Sequence, residues 1–183
     1  MMNATFATVR TVSNDPSGGS QYSSLSSAYA ASTAGDTLML EGTDINYGMS
    51  GCGEYFNKSL TIIGIGFNPQ KQNPRRARII QTVCWGEFRF HSSASGSKFY
   101  GIEFTSWVRT DGPLNNMVFE DCKFNNGFSF AGNSCSNFAF RNCIFDQDNN
   151  INYMQKVAVI HYPIFLFLIA YLMSILRATA IHT

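Results

Sequence analysis

The chain has 183 residues and a formal net charge of +1, with 14% charged and 14% aromatic side chains, sixteen of which are Phe. That length suits one ordinary domain, and so few charges among so many large apolar groups exclude a disordered chain, because burial can offset the ordering entropy. The near-zero charge excludes a global attraction for nucleic acid, and five Cys without a CxxC pair offer no zinc-binding spacing.

Met1 to Arg10 lacks a basic region followed by an apolar stretch, so no secretory signal is visible. Either the protein stays inside the cell or a leader lies outside this chain. Residues 1–19 read as a lead-in segment and residues 20–35 as a capping helix. Tyr22, Leu25 and Tyr29 fall at i, i+3 and i+7, an apolar helical stripe. Gly35 stands where such a helix should stop.

Residues 36–153 carry a repeat. Ser97-Lys98-Phe99-Tyr100-Gly101-Ile102-Glu103-Phe104, Met117-Val118-Phe119-Glu120-Asp121-Cys122-Lys123-Phe124 and Phe138-Ala139-Phe140-Arg141-Asn142-Cys143-Ile144-Phe145 align without gaps. Phe104 to Phe124 is 20 residues and Phe124 to Phe145 is 21. The first half of each segment alternates with period two, as a strand with one buried face does. The Gly/Asp/Asn position then shifts the parity, as a bend or bulge does. Leu60 to Phe67 matches the whole pattern, and Thr37 to Gly42 matches its first half. Leu60 to Ser97 is 37 residues, which we read as one coil with an insertion at the Pro-containing segment Asn68 to Arg76.

Second, shorter apolar runs follow: Arg78-Ile79-Ile80, Phe88-Arg89-Phe90, Trp107-Val108 and Phe128-Ser129-Phe130. Each coil thus has at least two strands between Gly/Asn/Ser-rich corners. One coil cannot bury its own apolar face, so the pattern predicts an all-β stack of parallel coils, a solenoid. An antiparallel sandwich explains the strands but not the constant spacing. The register predicts two buried columns, Phe99-Phe119-Phe140 and Phe104-Phe124-Phe145. It stacks Cys122 on Cys143 inside, as small core residues with a bridge geometrically conceivable.

Residues 154–183 form an apolar tail without Gly, Asn, Asp, Glu or Cys. Val157 to Leu176 is twenty residues, apolar except His161, Pro163 and Ser174. As a helix it can span the hydrocarbon core of a bilayer. Three readings stay open: a membrane anchor, a cap on the last coil, or a segment foreign to the domain. A helix is the expected form.

Thr11-Val12-Ser13, Tyr22-Ser23-Ser24-Leu25, Ala34-Gly35-Asp36-Thr37-Leu38 and Leu60-Thr61-Ile62-Ile63-Gly64 resemble the opening of right-handed parallel β-helix proteins of the pectin-lyase-like superfamily. The likeness covers roughly residues 8 to 150 by its repeat period, and is nearest to bacterial surface or secreted members. It implies a short right-handed parallel β-helix and an extracellular or cell-surface location. Members include polysaccharide lyases, glycoside hydrolases, tailspikes and adhesins, so the fold alone does not select an activity.

The lyases of that superfamily bind calcium through clustered acids, and calcium takes six to eight oxygen ligands. Here Asp121 has only Gly101 and Asn142 above and below it, so it reads as a bend residue. Its hydrolases need carboxylates facing one sugar. The alignment instead puts Glu120 beside Arg141 and Glu103 beside Lys123, which reads as two surface ion pairs. Arg109 with Asp111 is a further pair with no third partner visible. His91 reads as a corner residue, and Gly64-Ile65-Gly66 lacks the features of a phosphate loop. No catalytic residue, cofactor or metal is assigned.

For binding, Trp85, Tyr100 and Trp107 are candidate sugar-stacking rings. Arg109, Asp111 and Glu120 are candidate polar contacts. Lys71, Arg75, Arg76 and Arg78 can meet an anionic polymer, or form a solvated loop. The leading expectation is a non-catalytic binding or adhesive surface module for polysaccharide. The alternatives are a fragment of a polysaccharide lyase or glycoside hydrolase, and a structural stalk.

Overall fold

The computed structural model describes residues 7–49, 56–65, 75–81, 86–130 and 135–146, and the backbone of a strand at 157–160. The described residues are mostly β, with parallel sheets and one α-helix. In chain order the elements are β1 (Val9–Val12), α1 (Leu25–Ala31), β2 (Thr37–Leu40), β3 (Tyr47–Met49), β4 (Thr61–Ile63), β5 (Arg78–Gln81) and β6 (Glu87–Phe90). There follow β7 (Lys98–Tyr100), β8 (Glu103–Phe104), β9 (Trp107–Thr110), β10 (Val118–Glu120), β11 (Lys123–Phe124), β12 (Phe128–Phe130), β13 (Phe138–Arg141), β14 (Ile144–Phe145) and β15 (Val157–Ile160).

These strands fill three sheets in rotation. The first sheet runs β1-β2-β4-β7-β10-β13-β15, the second β3-β5-β8-β11-β14 and the third β6-β9-β12. All the strand pairs among the described residues are parallel, and from β4 to β12 each successive repeat adds one strand to each sheet in the same order. The arrangement is compatible with a β-helix-like solenoid. β4 pairs directly with β7, Ile62 opposite Phe99, so the 37-residue interval holds one repeat with an insertion. Most of the proposed insertion loop lies outside the described residues.

The corners follow from backbone chemistry. Gly101, Asp121 and Asn142 join the first-sheet strand to the second-sheet strand in three repeats, at φ of 65°, 53° and 49°. Gly96, Asn116 and Asn137 precede the first-sheet strands at 85°, 59° and 55°. Only Gly, Asn and Asp visit this left-handed region readily, which is why those residue types recur. The side chains add a ladder: Asn137 Nδ2 donates to Asn116 Oδ1 at 3.1 Å, and Asn142 Nδ2 donates to Asp121 Oδ1.

The three sheets enclose one aromatic core. Phe99, Phe119 and Phe140 stack with ring centroids 5.1 and 5.2 Å apart and planes within 9°. Phe104, Phe124 and Phe145 stack at 5.1 and 4.8 Å. The columns meet edge-to-face, as between Phe119 and Phe124 at 5.5 Å and 70°, the geometry ring quadrupoles favour. Both predicted columns are present; all but the half-buried Phe145 are buried. Cys122 is buried beneath Cys143, and both are free thiols. Burial, with the thiol of Cys143 adding to it, pushes the Cys122 thiol well up.

At the N-terminal end the helix is shorter than expected. It starts after Ser24, whose side chain accepts from the Ser27 N–H, and packs Leu25 and Ala28 onto the first repeat. Tyr22 is not helical but bridges Val12 in parallel, so the stripe that included it was partly a strand signal. Lys58 Nζ donates to the carbonyls of Tyr29 at 2.7 Å and Ser32 at 3.0 Å, placing a cation at the C-terminal end of the helix. The lead-in segment contains β1, which adds a strand outside β2.

Three further expectations are corrected. The Leu60–Phe67 match to the repeat departs at Ile65, which is 50% exposed, and Gly66 and Phe67 lie outside the described residues; Ala77-Arg78-Ile79 takes the second-sheet register, with Ile79 opposite Phe104. Arg78-Ile79-Ile80 therefore belongs to the second sheet, unlike the other short runs, which lie in the third. The physical reason is that the insertion falls at the bend, where the loop can lengthen without breaking either strand. In the tail, Val157–Ile160 is a strand rather than a helix, pairing with β13 from Phe138 opposite Val157. A β-branched apolar run has strand propensity, and composition alone cannot tell it from a helix. Met154 to Lys156 and residues 161–183 lie outside the described residues. Among the described residues no helix is long and apolar enough to cross a membrane.

Candidate functional site

Strand alternation sorts the candidate residues by face. In β9, Val108 and Thr110 are buried while Trp107 and Arg109 are partly exposed; in β6, Phe88 and Phe90 are buried while Glu87 and Arg89 are not. Glu87 stands opposite Trp107, and Arg89 opposite Arg109, on adjacent strands of the third sheet. Ser129 of β12 stands opposite Arg109 on the other side. The outer face of the third sheet thus gathers Glu87, Arg89, Trp107, Arg109 and, just past the strand, Asp111.

The charges on this face interlock. Arg89 Nη2 lies 2.6 Å from Glu87 Oε2, and its Nη1 lies 3.2 Å from Asp111 Oδ2. Arg109 reaches the same two acids, at 3.8 Å to Glu87 and 3.4 Å to Asp111. The Arg109–Asp111 pair predicted from the sequence therefore has third and fourth partners. Glu87 and Arg89 were missed, although aligning Phe88-Arg89-Phe90 with Val108-Arg109-Thr110 stacks Arg89 on Arg109.

Tyr100 and Glu120 lie elsewhere. They are neighbours in the outward column Ile63-Tyr100-Glu120-Arg141 of the first sheet, so they do not join the Trp107 group. Glu120 pairs with Arg141 at 3.3 Å with both side chains well exposed. Trp85 lies outside the described residues.

The second expected surface pair is corrected. Lys123 stands opposite Glu103 in register, but Glu103 is buried and its carboxylate takes Arg76 Nη1 at 3.4 Å and Asn125 Nδ2 at 3.0 Å. Lys123 reaches Asp146 instead, at 2.6 Å. The segment entering β5 brings Arg76 to the carboxylate of Glu103, a contact no repeat alignment contains.

The basic group at the insertion is engaged within the fold. Arg75 pairs with Asp15 at 3.3 Å, and Arg78 Nη2 donates to the Asp44 carbonyl at 2.9 Å. Lys71 lies outside the described residues. His91 opens a short 3-10 turn at Ser92–Ala94, its ring nitrogen taking the Ser93 N–H, as a corner residue does. Among the described residues, no three His, Cys, Asp or Glu side chains gather as metal ligands.

No protein family matches the chain's sequence, and no curated protein or solved structure is detectably similar to it.

Proposed function

We propose that the chain is a short right-handed parallel β-helix of the pectin-lyase-like kind, and that it serves as a non-catalytic binding or adhesive surface module for polysaccharide. The repeated strand order through three parallel sheets supports the architecture. The observation that carries the function is the outer face of the third sheet, where the indole of Trp107 stands in register with Glu87 and beside a group of four charged side chains. A partly exposed aromatic ring such as Trp107 offers apolar area to a sugar face at small entropy cost. Fixed guanidinium and carboxylate groups next to it can hydrogen-bond hydroxyls. Glu87 and Asp111 are engaged by arginines, so the reading assigns them to positioning rather than to acid–base chemistry.

The test is affinity electrophoresis of the full chain through gels containing soluble polysaccharides, with Trp107→Ala beside the wild type. Retardation of the wild type and its loss in the variant, at unchanged circular dichroism, is the expected outcome. Equal retardation of both proteins refutes the assignment of this face.

A further inference from the structure

The charge arrangement around Trp107 goes further and selects a class of polymer. Glu87, Arg89, Asp111 and Arg109 form a closed ring of alternating sign, each arginine facing both acids. Among the described residues of this face, two cations against two anions leave no net charge. The two arginines nevertheless differ. Arg89 is saturated by its neighbours: its Nε donates to Glu87 Oε2 at 2.8 Å and its Nη1 to Asp111 Oδ2 at 3.2 Å. Arg109 is neutralised by the same acids without being hydrogen-bonded to them. Its Nη1 stands 3.8 Å from Glu87, too far for a hydrogen bond. Its Nε lies 3.4 Å from Asp111 yet has no hydrogen-bond partner among the described residues. Its side chain is 39% exposed, the most open of the four.

An incoming carboxylate or sulfate gains little here. It reaches Arg109 first, but Glu87 and Asp111 stand within 3.8 and 3.4 Å of that guanidinium, so their repulsion offsets much of the attraction. A hydroxyl or ring oxygen can accept from the exposed guanidinium nitrogens of Arg109 without displacing either acid. The aromatic half of the site is adjacent. On one side Trp107 faces Glu87, and on the other Gly127, whose carbonyl accepts from the Val108 N–H at 3.1 Å, offers no side chain to cover the indole.

We propose that the outer face of the third sheet binds an uncharged polysaccharide, with Trp107 stacking on a sugar ring and Arg109 donating to its hydroxyl or ring oxygens. This rests on the polysaccharide-binding reading of the same face. Selection against polyuronates comes from the closed charge ring.

The experiment uses gels loaded with a soluble β-glucan, a galactomannan or an arabinoxylan as uncharged probes, and with polygalacturonate or dextran sulfate as charged ones. At least one uncharged polymer should retard the full chain, and Trp107→Ala should weaken that retardation by about tenfold or more, on the order of a lost stacking contact and its buried area. Raising sodium chloride from about 20 to about 500 mM should change it less than about twofold, because no net charge is there to be screened. Asp111→Asn opens the ring and leaves the face net positive, so this variant should gain salt-sensitive retardation by polygalacturonate that the wild type lacks. Wild-type retardation by polygalacturonate that is lost in Trp107→Ala and abolished by salt overturns the inference while the binding reading survives. No retardation by either class, or retardation indifferent to Trp107, overturns both.

Discussion

Adjacent residues of β10 should differ sharply in what their removal costs, because one faces the aromatic core and the next faces solvent. Phe119 is fully buried and stacks between Phe99 and Phe140 at 5.1 and 5.2 Å, with Phe124 and Phe128 edge-on at 5.5 Å. Phe119→Ala removes the ring and leaves a cavity that parallel strands held above and below cannot close. Burial loss plus cavity put the cost at about 3–5 kcal/mol. Glu120 contributes one ion pair to Arg141 at 3.3 Å, with 38% and 42% of the two side chains exposed. Solvent screening limits that pair to less than about 1 kcal/mol, so Glu120→Ala should cost no more. Urea unfolding followed by circular dichroism measures both, as midpoint shifts at constant slope. A reduced slope for Phe119→Ala would report that the stack unfolds in parts, which one-dimensional repeat architectures allow. Losses within about 1 kcal/mol of each other for the two variants would refute the inward–outward assignment of the strand, since a one-residue register slip exchanges the faces.

Three further outcomes follow from the same geometry. Burial works to raise the pKa of Asp36, but N–H donation from Thr33 and Thr8, with Arg10 alongside, holds its carboxyl below the usual carboxylate range. A lowered folded value stabilises above the unfolded value of about 3.9 and is lost as pH falls through the folded one. The stability gap between wild type and Asp36→Asn should therefore hold from about pH 8 to 5 and close only below about pH 4; a gap that closes on raising pH reverses the sign and rejects the account. At Gly64 an added Cβ would stand 2.5 Å from the Gly101 carbonyl oxygen and 2.6 Å from the Ala77 Cβ, whereas at Gly48 it would meet nothing within 4 Å. Thermal unfolding should thus show Gly64→Ala destabilised by about 1–3 kcal/mol and Gly48→Ala nearly unchanged. A chain ending at Tyr153 lacks β15 and leaves the β13 edge unpaired, a template for association. It should elute from size-exclusion chromatography as high-mass aggregate, and a sharp low-mass peak would show the tail strand to be dispensable.

Much of this arrangement was legible in the sequence because it is encoded over a few residues and then repeated. Period-two alternation puts Phe99, Phe119 and Phe140 on one face. The left-handed bend selects Gly101, Asp121 and Asn142 at one position of each repeat. A spacing of 20 or 21 residues then brings like onto like, so the two Phe columns and the Glu120–Arg141 pair can be written down from an alignment. What only the tertiary structure decided lies where that count is interrupted or where partners come from outside the repeat. The second-sheet position opposite Phe104 belongs to Ile79, which comes after the insertion and which the repeat alignment does not pick out. Glu103 is buried because Arg76 reaches it from the segment entering β5. Arg109 and Asp111 look like an isolated pair along the chain, yet stacking sets Glu87 and Arg89 of the preceding repeat against them. A short apolar run such as Val157–Ile160 leans toward strand only weakly by its β-branched residues, and the edge of β13 gives it a partner. Local backbone preference travels with the residues, whereas contact between repeats depends on how many residues the chain takes to return.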